Sequence, residues 1–147
     1  MPDAELSPAD GLAQLTFLVQ GVLERQSTAH GMTPVQARML GILRDREPLM
    51  SELGARLGLD KSSISGLVDR AEKRGLVERT RSSEDGRAVH VRLTPEGRAR
   101  IAAGEADFER EISRLLAHLP AADQDALTSL VSRLLIAEGA ASGMDVH

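Results

Sequence analysis

A mostly helical α+β fold is predicted for this 147-residue chain by three observations. Two short amphipathic segments meet at Gly58, two alternating segments follow around a glycine-containing turn at 82–86, and apolar stripes at helical spacing flank this unit on both sides. Leu12, Leu15, Val19, Val22 and Leu23, with Leu18 widening the stripe, predict a long first helix over 9–28. Thr33-Pro34 then starts a second, because a threonine hydroxyl caps a helix and proline at the first helical position has no N–H to leave unpaired. Val35, Met39, Leu40, Ile42 and Leu43 carry it to about residue 46, and Pro48 separates it from the next segment.

Over 50–59, Leu53, Leu57 and Leu59 are interleaved with Ser51, Glu52 and Arg56, a short amphipathic helix ending at Gly58. Asp60 caps the next helix, with Ser62 able to share that role, and Ile64, Leu67, Val68 and Ala71 fall at i, i+3, i+4 and i+7 on its core face. The opposite face carries Lys61, Ser62, Ser63, Ser65, Gly66, Asp69, Arg70 and Lys73. These are short hydrogen-bonding or charged groups without apolar bulk, a surface that can approach DNA closely. Asp69 would repel phosphate, so it is expected to pair with Arg70 or Lys73, or with neither. Gly75 ends the helix, residues 76–81 alternate as a strand, and Ser82, Ser83, Glu84, Asp85 and Gly86 turn the chain. Val89, Val91 and Leu93 alternate with His90 and Arg92 on the return strand, and the tip is basic at Arg81 and Arg87. Two helices followed by such a hairpin, over 49–94, constitute a winged helix-turn-helix, a DNA-reading module.

Thr94-Pro95 repeats the start signal for a helix to about 119 with Ile101, Phe108, Ile112, Leu115 and Leu116. Pro120 breaks it, and Leu127, Leu130, Val131, Leu134 and Leu135 mark a last helix over 121–138. Residues 139–147 are small and polar and are expected to be a disordered tail. The length suits one domain, 1–147. Its flanking regions, 9–46 and 95–138, carry apolar stripes that the small module cannot cover. A second copy pairing the N- and C-terminal helices, a homodimer, is the economical solution.

Aromatic residues are 1% of the chain, Phe17 and Phe108 alone, so Leu, Val, Ile and Ala must build the core. With no cysteine, disulfides, thiolate metal sites and thiol redox sensing are excluded. No leader pattern or bilayer-length apolar run is present, which sets the expectation of a cytoplasmic protein without a membrane partner. The net charge of -4 is unevenly divided. Residues 56–94 hold 9 basic against 6 acidic side chains, a net of +3, whereas residues 1–55 carry -3 and 95–147 carry -4. Clustered Lys and Arg supply the phosphate contacts that dominate non-specific DNA affinity.

His30, His90, His118 and His147 lack metal-ligand spacing, and no metal or other cofactor is expected. His118, near Glu111 and Arg114, leaves a dimer-linked metal or pH site as the alternative to a structural role. There is no GxSxG elbow, phosphate-binding loop or dinucleotide fingerprint, so the chain is not read as an enzyme.

Leu53-Gly54-Ala55-Arg56-Leu57-Gly58-Leu59, then Ser62 to Gly75-Leu76-Val77-Glu78-Arg79, then Asp85-Gly86-Arg87 and Leu93-Thr94-Pro95-Glu96-Gly97 resemble the multiple antibiotic resistance regulators, the MarR family of bacterial transcription factors. The resemblance spans nearly the whole chain. It implies a homodimer that binds double-stranded DNA at a pseudo-palindromic operator, most often as a repressor. The helix matching 61–74 would enter the major groove, with Lys61, Ser62, Ser63, Ser65, Gly66, Arg70 and Lys73 on the DNA side. The wing would enter the minor groove, with Arg81 and Arg87 at its basic tip, Arg87 contacting DNA and Asp85 stabilising the wing. Gly66 stands where many members carry a longer side chain. The family also implies release by a small-molecule effector near the first, second and fifth helices, with Phe17, Met39, Leu43 and Phe108 as candidate lining, although plain core is the favoured reading of all four. The alternative is a winged helix serving as an architectural or protein-interaction module without operator specificity; exposed apolar or aromatic anchors on 61–73 would favour it.

Overall fold

The computed structural model describes residues 5–82, 84 and 86–142. Its elements, in chain order, are α1 (Pro8–Ala29), α2 (Pro34–Leu43), α3 (Met50–Leu57), α4 (Lys61–Lys73), β1 (Val77–Arg81), β2 (Val89–Leu93), α5 (Pro95–Leu116) and α6 (Ala121–Ser142). Glu109 closes one compact unit and Arg110 opens another.

Local chemistry sets the boundaries. Ser7 caps α1 by accepting from the Asp10 amide at 3.1 Å. At α2, the Thr33 hydroxyl accepts from the Gln36 amide at 3.2 Å while the Gln36 side chain accepts from the Thr33 amide at 3.0 Å, a reciprocal box. Helices α3 and α4 end alike: Gly58 and Gly75 adopt φ of 66° and 72°, and the next amide, of Leu59 or Leu76, bonds five residues back to Gly54 or Ala71. A side chain is strained in that left-handed conformation, so glycine is required at both stops.

The core of the first unit gathers Met39, Leu40 and Leu43 of α2, Leu53 and Leu57 of α3, and Ile64, Leu67, Val68 and Ala71 of α4. Leu76, Val77, Val91, Leu93 and Ile101 complete it with Met32. Each fully buried Leu or Val contributes about 1.5–3 kcal/mol over its exposed state, and this aliphatic set does without aromatic rings. The two strands pair antiparallel with Val77 opposite Leu93 and Arg79 opposite Val91. Leu49 bridges to His90, and the Val91 amide bonds the Pro48 carbonyl at 3.0 Å, tying the hairpin to the chain just before α3.

Four expectations shift. Helix α2 stops at Leu43 rather than near 46, because the Arg44 amide turns to the Gly41 carbonyl and the guanidinium pairs with Asp45 at 3.2 Å and Glu105 at 2.8 Å. Strand β1 starts at Val77, since the Leu76 amide is spent closing α4. Helix α5 ends at Leu116, short of 119, in a turn where the Leu119 amide bonds the Leu116 carbonyl at 2.9 Å. Helix α6 continues to Ser142, so 139–142 are helical rather than a disordered tail. Alanine is the strongest helix former, and Ala140 and Ala141 extend the helix without an apolar stripe. Residues 143–147, including His147, lie outside the described residues.

In the first unit, α1 buries Val22 but exposes Leu12, Leu15, Phe17, Leu18 and Leu23. In the second, α6 exposes Leu130, Val131, Leu134, Leu135 and Ile136. No helix among the described residues is long and apolar enough to cross a membrane.

Candidate nucleic-acid interface

The Asp60 carboxylate accepts from the Ser63 amide at 2.7 Å and fixes the first turn of α4. That backbone hydrogen bond holds the Asp60 carboxyl below its ordinary range. The cap is therefore intact above the usual aspartate pKa and is lost as pH falls through the lowered value.

With Ile64, Leu67, Val68 and Ala71 buried, α4 presents a polar stripe of Ser62, Ser65, Gly66, Asp69 and Lys73, flanked by Lys61, Ser63 and Arg70. Lys61, Ser62, Ser63, Asp69, Arg70 and Lys73 are exposed; Ser65 and Gly66 are half-buried.

Asp69 pairs with neither Arg70 nor Lys73, the last of the options left open by the sequence. Arg79 of β1 donates to Asp69 at 2.7 Å and to Glu72 at 3.2 Å, and its backbone amide also bonds Glu72 at 3.2 Å. The strand packs beside the second half of α4, so a long-range partner reaches Asp69 where Arg70 and Lys73, on the same helix, do not. Arg79 thereby neutralises two carboxylates that would oppose phosphate. Arg92, opposite Glu78 in the register, is likewise held at 2.6 Å. The Arg70 side chain makes no hydrogen bond or ion pair among the described residues, and its Nη1 lies 3.2 Å from where a β-carbon on Gly66 would stand.

In the wing, the Arg81 guanidinium donates to the Gly86 carbonyl at 3.2 Å, which ties the ascending strand to the turn. Arg87 is exposed on the far side of that turn. Asp85, expected to stabilise the wing, lies outside the described residues, as does Ser83.

Sequence reasoning missed the joint beneath the wing. The Thr94 hydroxyl donates to the Gly75 carbonyl and accepts from the Gly97 amide at 3.0 Å, so the end of α4 and the start of α5 share one side chain. His90 is also structural here, its Nδ1 lying 2.7 Å from the Glu47 carbonyl.

Within the first unit, α1, α2 and α5 border an open cavity of about 500 Å³ lined by Leu23, Met32, Val35, Ile101 and Phe108, with Glu24, Arg38 and Glu105 among its polar members. Of the four residues suggested for a pocket, Phe108 lines it, Met39 and Leu43 belong to the core, and Phe17 is 72% exposed on α1. Arg38 reaches from the cavity wall to the Arg56 carbonyl near the end of α3, at 3.4 Å. His30 pairs with Asp107 at 2.6 Å, joining the end of α1 to α5. Among the described residues no three His, Asp or Glu side chains converge as a metal site.

A model of the MarR family matches residues 30–88. The chain is 26% identical over 127 residues to YdgJ, an uncharacterised HTH-type transcriptional regulator of Bacillus subtilis, covering 83% of this chain and 77% of that protein. The structure of S. aureus MepR in complex with DNA superposes with a TM-score of 0.70 at 16% identity, over 90% of this chain and 99% of MepR. NadR in complex with 4-hydroxyphenylacetate superposes at 0.69 with 22% identity, over 91% and 96% of the two chains. At these identities the two structural likenesses are likenesses of fold.

Proposed function

The chain belongs to the MarR family of DNA-binding transcriptional regulators, and on that premise we propose that it is a homodimeric repressor whose grip on its operator is set by a small molecule. The observation that carries this reading is the face of α4: an exposed polar stripe on a helix whose other face is anchored in the core, its acidic members neutralised by Arg79. A protein-docking surface would carry apolar anchors there instead.

Two such helices related by a two-fold axis match half-sites about 10 base pairs apart or a multiple of that spacing. Pairing through the exposed leucines of α1 and α6 supplies the second helix. Lys61, Ser62, Ser63, Ser65 and Lys73 contact the major groove and its phosphates, and Arg81 and Arg87 bring positive charge to the minor groove. The DNA complex of MepR, on the same fold, supports DNA binding.

The effector site is the cavity between α1, α2 and α5, apolar with a few polar groups, as small-molecule sites are. The complex of NadR with 4-hydroxyphenylacetate supports a small-molecule effector on this fold. Gly41 lines this cavity, and a β-carbon added there would meet no atom within 4 Å. Gly41→Phe is expected to fill the cavity, leave operator affinity within about twofold, and abolish any effector response in a DNA-release assay.

The deciding experiment is fluorescence anisotropy of the purified protein on DNA from its own upstream region and on an unrelated duplex, at two salt concentrations. Tight binding to the first, weakening by about 0.9 log units per log unit of salt for each phosphate neutralised, establishes an operator-specific regulator. Equal weak binding to both favours an architectural role, and binding to neither favours a protein partner. In the same assay Arg87→Ala is expected to weaken operator binding about tenfold, roughly 1.4 kcal/mol, with an unchanged melting curve. Full affinity in that variant would remove the wing from the interface.

A further inference from the structure

We propose that Arg70 is the guanine-reading residue of α4, and that Gly66 is the clearance that lets it lie along the helix. This rests on the DNA-binding reading above and names its specificity determinant. Arg70 is the single arginine within α4. Three other arginines of the module are committed at home, Arg79 to Asp69 and Glu72, Arg92 to Glu78, and Arg81 to the Gly86 carbonyl. Arg70 has no such partner among the described residues and is exposed.

Side chains on a helix lean toward its N-terminus, so a residue covers the one four positions earlier. Here that residue is Gly66, and the Arg70 Nη1 sits 3.2 Å from its absent β-carbon, closer than a side chain there would comfortably allow. The guanidinium is thereby drawn in toward the middle of the stripe formed by Ser62, Ser65, Gly66 and Asp69. Lys61 and Lys73 stand at the two ends of the helix and carry ammonium groups. A planar guanidinium donates two parallel hydrogen bonds to guanine O6 and N7, which an ammonium cannot match in geometry, whereas the neighbouring serine hydroxyls bond any base. Discrimination of one G·C pair in each half-site therefore falls to Arg70.

The test selects bound sequences from a randomised duplex pool with the full-length wild type, Arg70→Lys, Arg70→Ala and Gly66→Ala, and then measures affinities for single-base variants of the selected site. Wild type is expected to require a G·C pair at one position of each half-site. Arg70→Lys keeps the charge and is expected to lose about tenfold or more of that preference with an unchanged salt slope. Gly66→Ala is expected to weaken the same preference while melting no lower than wild type, because glycine disfavours a helix interior. The proposal is overturned if Arg70→Lys selects the same bases as wild type. It is equally overturned if Arg70→Ala weakens all sequences alike and lowers the salt slope by about one, the mark of a phosphate contact. Wild type selecting no sequence at all would instead remove the DNA-reading function itself.

Discussion

Alanine in place of Gly97 is expected to destabilise the winged module by about 3 kcal/mol, the upper part of the usual range for overpacking. A β-carbon there would stand 1.9 Å from the Leu76 carbonyl oxygen and 2.8 Å from its carbon. These are backbone atoms, and they cannot rotate away as the end of a side chain would. The first turn of α5 would have to lift from the Leu76 backbone just before β1, breaking the Thr94 link to Gly75 and the 3.1 Å bond from the Thr94 amide to the Leu76 carbonyl. Urea denaturation followed by circular dichroism measures the loss. Gly104→Ala is the control, because its nearest neighbour would be His30 Cδ2 at 3.8 Å, an ordinary contact. That variant should be neutral or slightly stabilised. Equal stability of Gly97→Ala and Gly104→Ala would mean that this close approach does not hold in solution.

The second large effect is expected from Leu130→Glu combined with Leu134→Glu on α6. Both leucines are 59% exposed in the single chain, one helical turn apart on one face. If a second copy covers that face, four carboxylates enter an apolar interface, and sedimentation should report a monomer at concentrations where wild type is dimeric. Operator affinity should fall by about 100-fold or more, since one half-site alone forfeits the gain from linked binding. The melting curve of the first unit should survive, because neither residue contributes to its core. A dimer that persists with both substitutions would place the interface elsewhere.

The module is legible in the sequence because its signals are local. Caps, stop glycines and a four-residue apolar repeat each act within one or two turns, so the bounds of α3, α4 and β2 follow from chemistry between near neighbours. Long-range packing decides the features that the sequence hides. Periodicity offers Asp69 candidate partners only on its own helix and leaves open that it takes neither, whereas its partner stands on a strand ten residues later. Thr94 reads as an ordinary helix cap, yet its hydroxyl also holds the end of α4. The cavity illustrates the same limit: Met39 and Leu43 share a helix with Arg38 and Gly41, and only the packing of α1 and α5 against α2 separates core-facing from cavity-facing positions. Helix α6 runs past its expected end because apolar periodicity marks only the helix that packs, and alanine forms helix without it.

The bond from Arg38 to the Arg56 carbonyl joins a wall of the cavity to the helix that precedes the reading helix. Any molecule that draws the Arg38 guanidinium into the cavity removes a donor from the last turn of α3. Linkage makes such an exchange symmetrical: an occupant that loosens DNA tenfold, about 1.4 kcal/mol, is itself loosened tenfold by DNA. The operator would then act as a competitor that never touches the cavity, and the effector concentration needed for release would rise with the number of operator copies in the cell.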